Sequence, residues 1–228
     1  MGNPGRVWLF DLDNTLHNAT PHIFPHINRS MREYIERHLG LSPDQATRLR
    51  QDYWERYGAT LLGLMRHHGT DPRHFLWETH QFKDLERMVV FEKPVIHMLR
   101  RLTGRKIIFS NAPRHYTDAV LAITGLSACF DKIYSVEDVN FQPKPMLAGF
   151  RSLLHAEHIN PRNCIMVEDS LPNLISAKKL GMKTVWVSAG YRQSPYVDVK
   201  IGSVLELPEH YGRLNFLHNF YGGEKHGG

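Results

Sequence analysis

The 228-residue chain is poor in cysteine: Cys129 and Cys164 lie far apart and neither belongs to a CxxC. That spacing argues against a disulfide framework or a zinc cluster and leaves both as ordinary core thiols. No apolar run approaches the ~18 residues of a membrane span, so no membrane association is expected. The opening residues Met1-Gly2-Asn3-Pro4-Gly5-Arg6-Val7 reach strand-like sequence too soon for a signal peptide. Arg6 also stands where a myristoylation signal places Ser or Thr, so a cytoplasmic location is the expectation. Lys and Arg are scattered, with no basic run of roughly 5–8 residues, and a nucleic acid polymer is not an expected partner. There is no internal repeat, and low complexity is confined to residues 222–228, a tail expected to fray.

What remains is a composition near the average for globular proteins, 42% hydrophobic and 22% charged. The net charge of +5 favours an anionic ligand. Fifteen histidines form a surplus that composition does not explain. Short apolar runs with the look of buried strands occur at residues 6–11, 106–110, 132–135, 163–168 and 183–187, with a sixth candidate at 197–201. Most are separated by apolar residues at helical spacing: Val95, Met98, Leu99 and Leu102; Ala119, Val120 and Ile123; Met146, Phe150, Leu153 and Leu154; Leu174, Ala177 and Leu180 before Gly181. Strands alternating with helices predict an α/β fold, a Rossmann-like three-layer core with a parallel sheet.

The alternation breaks between His17 and Glu92. Ile27, Met31, Ile35 and Leu39, then Ala46, Leu49, Tyr53 and Tyr57, then Leu61, Leu64 and Met65, then Phe75, Leu76 and Thr79 keep helical period. Pro21, Pro25, Gly40, Pro43, Gly58, Gly69 and Pro72 punctuate the stretch. The expected organisation is a discontinuous α/β core, residues 1–16 and 93–228, interrupted by an all-helical cap over 17–92.

In an open α/β sheet the ligand lies beyond the carboxyl ends of the strands. There the chain delivers Asp11-Leu12-Asp13-Asn14-Thr15, Ser110-Asn111, Lys144 between Pro143 and Pro145, and Glu168-Asp169-Ser170. In extended chain Asp11 and Asp13 leave one face while Leu12 points away. Glu168 and Asp169 add negative charge from another strand, and four carboxylates together would repel strongly without a Mg²⁺-like ion. Lys144 supplies the opposite sign, its flanking prolines fixing the chain so that one long side chain is aimed. Ser110 and the Asn111 backbone N–H supply neutral donors. A phosphoryl group fits among them. Phosphate monoesters hydrolyse so slowly that accelerations up to ~10²¹-fold are needed, and an aspartyl-phosphate divides the difficulty. Asp11 is then the nucleophile and Asp13 the acid and base, while Lys144 and Ser110 hold the equatorial oxygens.

Asp11-Leu12-Asp13-Asn14-Thr15-Leu16, Ser110-Asn111, Lys144 and Glu168-Asp169, in this order, resemble the four motifs of the haloacid dehalogenase superfamily of phosphohydrolases. The helical insertion resembles that superfamily's C1-type cap. Phe10 to Leu16, the stretch Tyr57-Gly58-Ala59-Thr60-Leu61-Leu62-Gly63-Leu64 and Ser110-Asn111-Ala112-Pro113-Arg114 together resemble the pyrimidine 5′-nucleotidase group. The resemblance implies Mg²⁺ held by Asp11, the Asp13 carbonyl and Asp169, with Glu168 a further ligand or a support. It implies phosphate contacts from Ser110, Asn111 and Lys144. Two departures stand out: Asn173 where many relatives place another Asp, and Ser110 where Thr is also common.

Tyr57, Thr60, Leu61, Leu64 and His68 have the spacing of one helical face, ordinarily a core face. Because an inserted cap must close over the site, Tyr57, Thr60 and His68 are candidates to face the substrate, and Thr60 is taken as a substrate contact. Arg114 is a second substrate candidate, the alternative being a surface arginine at a helix entry. His67 and His68 point about 100° apart on a helix and read as solvated rather than metal-binding. Asn14, His17 and Asn18 are expected in a hinge, polar merely because the chain turns there. The expected partner is a small phosphate ester, first a nucleoside 5′-monophosphate; a sugar phosphate, as substrate of a phosphatase or a phosphomutase, is the alternative. A non-catalytic phosphate-binding module is the third reading. A dehalogenase has no use for Asp13 or a Mg²⁺ cluster.

Overall fold

The computed structural model describes residues 5–214. The tail at 222–228 lies outside them. Six strands, β1 (Val7–Phe10), β2 (Arg105–Phe109), β3 (Lys132–Tyr134), β4 (Cys164–Glu168), β5 (Lys183–Val187) and β6 (Val199–Ile201), form one sheet in the order β3-β2-β1-β4-β5-β6. Every pairing is parallel. All six expected strands are present, each within about a residue or two of its sequence limits.

Alternation along the strands builds two cores. Trp8, Phe10, Ile108, Ile165 and Val167 face one side and pack with α6 (Pro94–Arg101) and α7 (Arg114–Thr124) through Val95, Leu99, Tyr116 and Val120. Val7, Leu9, Ile107, Phe109 and Met166 face the other and pack with α8 (Leu147–Ala156) and α9 (Leu171–Lys179) through Phe150, Leu153, Leu174 and Ala177. The central strands are therefore apolar on both faces, as a sheet covered by helices on both sides requires. Cys129 and Cys164 are buried free thiols within these cores.

Between β1 and α6 lie five helices: α1 (Ile23–Leu39), α2 (Pro43–Tyr57), α3 (Thr60–His68), α4 (Pro72–Thr79) and α5 (Leu85–Met88). Their limits follow local signals. Ser42 caps α2 in a capping box with Gln45, Pro43 takes the first helical position, and Asp71 caps α4. Gly40, Gly58 and Gly69 end α1, α2 and α3 in the left-handed conformation. Pro25 does not punctuate: it sits in the first turn of α1, where a missing N–H costs nothing. The insertion has its own core, including Tyr34, Ile35, Tyr53, Leu64 and Phe75. Its two connections to the sheet domain run side by side, Asn18 N donating to Val90 O at 2.8 Å.

Candidate active site

The order β3-β2-β1-β4 reverses direction of travel at β1, and the crevice of such a sheet opens where β1 and β4 lie together. Asp11 leaves the end of β1 with its N–H donating to Val167 O of β4 at 3.0 Å, so Glu168 and Asp169 emerge beside it. Leu12 is buried and its carbonyl accepts from the N–H groups of Thr15 and Leu16. This turn brings Thr15 Oγ1 to donate to Asp11 Oδ2 at 3.1 Å.

Lys144 is the electrostatic centre. Its ammonium is fully buried and donates to Asp11 Oδ1 and to Glu168 Oε2, both at 2.7 Å. Burial alone would lower the lysine's pKa, yet the two carboxylates override it and hold the ammonium charged, its pKa raised. Its backbone is equally constrained: the Asn111 amide donates to Lys144 O and accepts from Lys144 N, each at 2.8 Å. Ser176 Oγ donates to Pro145 O at 2.6 Å. A Cβ at Gly149 would meet Gln142 O at 2.0 Å, so the bare glycine lets α8 begin tight against the loop that carries the lysine.

Asp11, Glu168 and Asp169 bring carboxylate oxygens within 4.8 Å of one another. Desolvation by burial, then repulsion from Glu168, pushes Asp11 up to about 7, more than Lys144 draws it down. Glu168 is likewise pushed up to about 7, and Asp169 is raised, in both cases first by burial. An all-oxygen set carrying more negative than positive charge, in a place where negative charge is costly, fits a hard divalent cation. Glu168 has both oxygens engaged, Oε2 by Lys144 and Oε1 by the Ser170 N–H at 3.1 Å. The Asp169 backbone is fixed by Trp186 Nε1 donating to its carbonyl at 2.8 Å.

Asp13 stands just outside this group and has its own partners. Tyr116 OH donates to Asp13 Oδ1 at 2.6 Å, and His17 Nε2 meets the same oxygen at 2.8 Å. His17 is buried, so it does more than turn the chain: it is part of the setting of Asp13. Tyr116 carries no motif and is separated from Asp13 by 103 positions; its burial in the first turns of an amphipathic helix was the only available hint. The Tyr116 hydroxyl is held protonated, its pKa raised by burial and by Asp13. Asn14 takes a positive φ of 59° and accepts at Oδ1 from Ala19 N, Thr20 N and Thr20 Oγ1, so it ties the end of β1 to the start of the helical insertion. Ser110 is buried and its Oγ accepts from Ala112 N at 3.0 Å, which leaves its own proton to donate.

Asp11, Asp13, Ser110, Asn111, Lys144, Glu168 and Asp169 are thus gathered at one sheet edge. Thr60 and Arg114 are not brought to them. Thr60 is buried inside the insertion with Oγ1 donating to Arg50 O at 2.9 Å, because it opens α3 against α2. Gly58 separates Tyr57 from Thr60, so the supposed single helical face is split between two helices. His68 Nε2 and His67 Nε2 meet Tyr53 OH and Tyr57 OH at 2.8 and 2.7 Å, so these exposed histidines are held by tyrosines of α2. Arg114 binds Ile133 O and Asp138 and lines a cleft along the edge strand β3 with Tyr134 and Glu157; it serves that edge.

Comparison with known proteins agrees with this geometry. Residues 6–181 match the family model for haloacid dehalogenase-like hydrolases. Phosphate metabolism protein 8 of Saccharomyces cerevisiae is 24% identical over 191 residues, 78% of this chain and 60% of that protein. Hexitol phosphatase B of Escherichia coli is 28% identical over 102 residues, 43% of this chain and 46% of that protein. The chain therefore spans less than two thirds of the length of these curated relatives. Among solved structures, a haloacid dehalogenase-type phosphatase from Thermococcus onnurineus superposes with a TM-score of 0.64 at 25% identity, covering 92% of this chain and 100% of that one. The magnesium-bound putative hydrolase YfnB from Bacillus subtilis shares the fold, with a TM-score of 0.60 at 17% identity over 94% of this chain and 100% of that one. From residue 6 to residue 181, across the whole of the site, the chain belongs to the haloacid dehalogenase-like hydrolases.

Proposed function

We propose that the chain is a Mg²⁺-dependent phosphomonoesterase that forms an aspartyl-phosphate on Asp11 and acts on nucleoside 5′-monophosphates, in the cytoplasm, with residues 17–92 serving as a cap. The observation that carries this reading is Lys144 at 2.7 Å from both Asp11 and Glu168, with Asp13 held separately by Tyr116 and His17. One carboxylate is placed to bond phosphorus and the other to handle a proton. Mg²⁺ would be held by Asp11, the Asp13 carbonyl and Asp169, with Glu168 spent on orienting Lys144. When bound it neutralises charge, so that an anionic nucleophile meets an anionic ester.

An Asp11 carboxylate oxygen bonds phosphorus as the bond to the ester oxygen breaks, and Asp13 gives its proton to that leaving oxygen. Asp13 then takes a proton from the water that attacks phosphorus, which frees phosphate and restores Asp11. Tyr116 and His17 both occupy Oδ1 of Asp13, so Oδ2 is the oxygen that exchanges the proton. The Lys144 ammonium, the Ser110 hydroxyl and the Asn111 N–H hold the remaining phosphoryl oxygens; the Asn111 side chain is already spent on Lys144.

A sugar-phosphate phosphatase is the second reading, supported by the hexitol phosphatase and by the validoxylamine A 7′-phosphate phosphatase of Streptomyces hygroscopicus, 24% identical over 88 residues, 39% of this chain and 41% of that protein. A screen of nucleoside monophosphates and sugar phosphates with Mg²⁺, scored by kcat/KM, separates the two. Nucleotides are expected to lead; a sugar phosphate turned over far faster would remove the nucleotide assignment. Asp11→Asn is expected to lose phosphate release to background, and a variant that kept it would overturn the mechanism.

A further inference from the structure

The histidine surplus concentrates on the helical insertion, and one group there has the makings of a metal site. His38 lies in the last turn of α1, while His74 and Glu78 are four apart on α4, so both project from the same face of that helix. His74 Nε2 lies 3.2 Å from Glu78 Oε1 and His38 Nε2 lies 3.9 Å from Glu78 Oε2, and the three ligand atoms fall within 4.8 Å of one another. Ligand atoms around a tetrahedral zinc sit about 3.3 Å apart, so small rotamer adjustments close the set.

The two rings are exposed but supported from behind. Tyr34 OH meets His74 Nδ1 at 3.0 Å, which directs Nε2 toward Glu78. The Tyr34 ring lies 4.1 Å from the His38 ring, and the two histidines meet edge to face at 5.3 Å. A hydroxyl on the far nitrogen of a ligating imidazole fixes its orientation and, when it accepts, its tautomer. Arg37 pairs with Glu78 at 2.7 Å, but its side chain is 61% exposed and can swing into solvent.

We propose that His38, His74 and Glu78 bind a divalent transition metal of the Zn²⁺ class, tying the end of α1 to α4. Two imidazoles and a carboxylate select such an ion over Mg²⁺, and three protein ligands leave a position for water. This site uses none of the residues around Asp11, and its test does not depend on turnover.

The test takes the full chain stripped with chelator and held in excess Mg²⁺, which occupies oxygen sites. Co²⁺ is added and its visible spectrum followed, with Zn²⁺ as competitor. The expected result is one Co²⁺ displaced by Zn²⁺, bound at least ~10-fold more weakly in Tyr34→Phe and lost in His38→Ala and His74→Ala. Zn²⁺ should raise the thermal midpoint of the parent chain but not of His74→Ala. Circular dichroism in Mg²⁺ establishes that each variant is folded. Absence of Co²⁺ binding by the parent chain, or binding that persists in both histidine variants, would overturn the proposal.

Discussion

Asp13 receives two donors on one oxygen, and this gives its setting a measurable weight. Removing the Tyr116 hydroxyl leaves the ring to fill its place while Oδ1 loses its shortest partner. A hydrogen bond to a charged group contributes about 1.5–3 kcal/mol, so Tyr116→Phe should lower kcat for phosphate release by at least about tenfold while KM stays nearly constant. A change confined to KM would show that Tyr116 holds substrate rather than Asp13. Histidine has comparable roles elsewhere: His17 on Asp13, His67 and His68 on tyrosines, and His115 Nε2 reaching His80 O at 3.1 Å. Composition could count these rings but not assign them, because every such partner except those close in sequence is delivered by the fold.

The loop between β3 and α8 shows how an element aims a residue. Lys144 is presented by prolines on either side, by the two Asn111 bonds and by the close start of α8 at Gly149. An alanine in place of a helical glycine ordinarily stabilises by ~0.5–1 kcal/mol. Here the added methyl meets a backbone carbonyl at 2.0 Å, and overpacking of this kind costs about 1–3 kcal/mol. Gly149→Ala should therefore lower stability in urea and depress activity by moving the lysine; a variant more stable than the parent would refute the steric argument. Next to the lysine the same loop meets the insertion, where a Cβ at Gly58 would lie 2.9 Å from Pro145. The element limits were largely legible in the sequence because caps and left-handed glycines act over a few residues. The single face from Tyr57 to His68 fails for the same reason, since the break at Gly58 divides what periodicity alone joins.

Across the whole molecule, the insertion and the α/β core share a buried seam in which His80 is enclosed. Burial holds His80 neutral, its pKa pushed down from 6.5 to about 4. An unfolded chain takes up that proton as pH falls below about 6.5, while the native state resists until about 4. Stability is therefore fully present above 6.5 and is lost as the pH drops through this window, by about 3 kcal/mol for a group this buried. Urea midpoints should show the parent chain losing more stability than His80→Gln between neutral pH and about 4; parallel curves would mean that the ring is hydrated in the folded state. No helix among the described residues is long and apolar enough to cross a membrane.

The sequence alone determined the alternation of strands and helices, the helical interruption after the first strand, and the placement of Asp11, Asp13, Ser110, Lys144, Glu168 and Asp169 at strand ends. Those features rest on periodicity and on turn chemistry, which are local. Only the tertiary structure decided that Tyr116 and His17 hold Asp13, that the Asn111 amide is spent on Lys144, and that Glu168 is engaged at both oxygens. It also decided that His38 reaches Glu78 across two helices. Each of these depends on which faces of distant elements pack together, and residue spacing carries no record of a contact made across 103 positions.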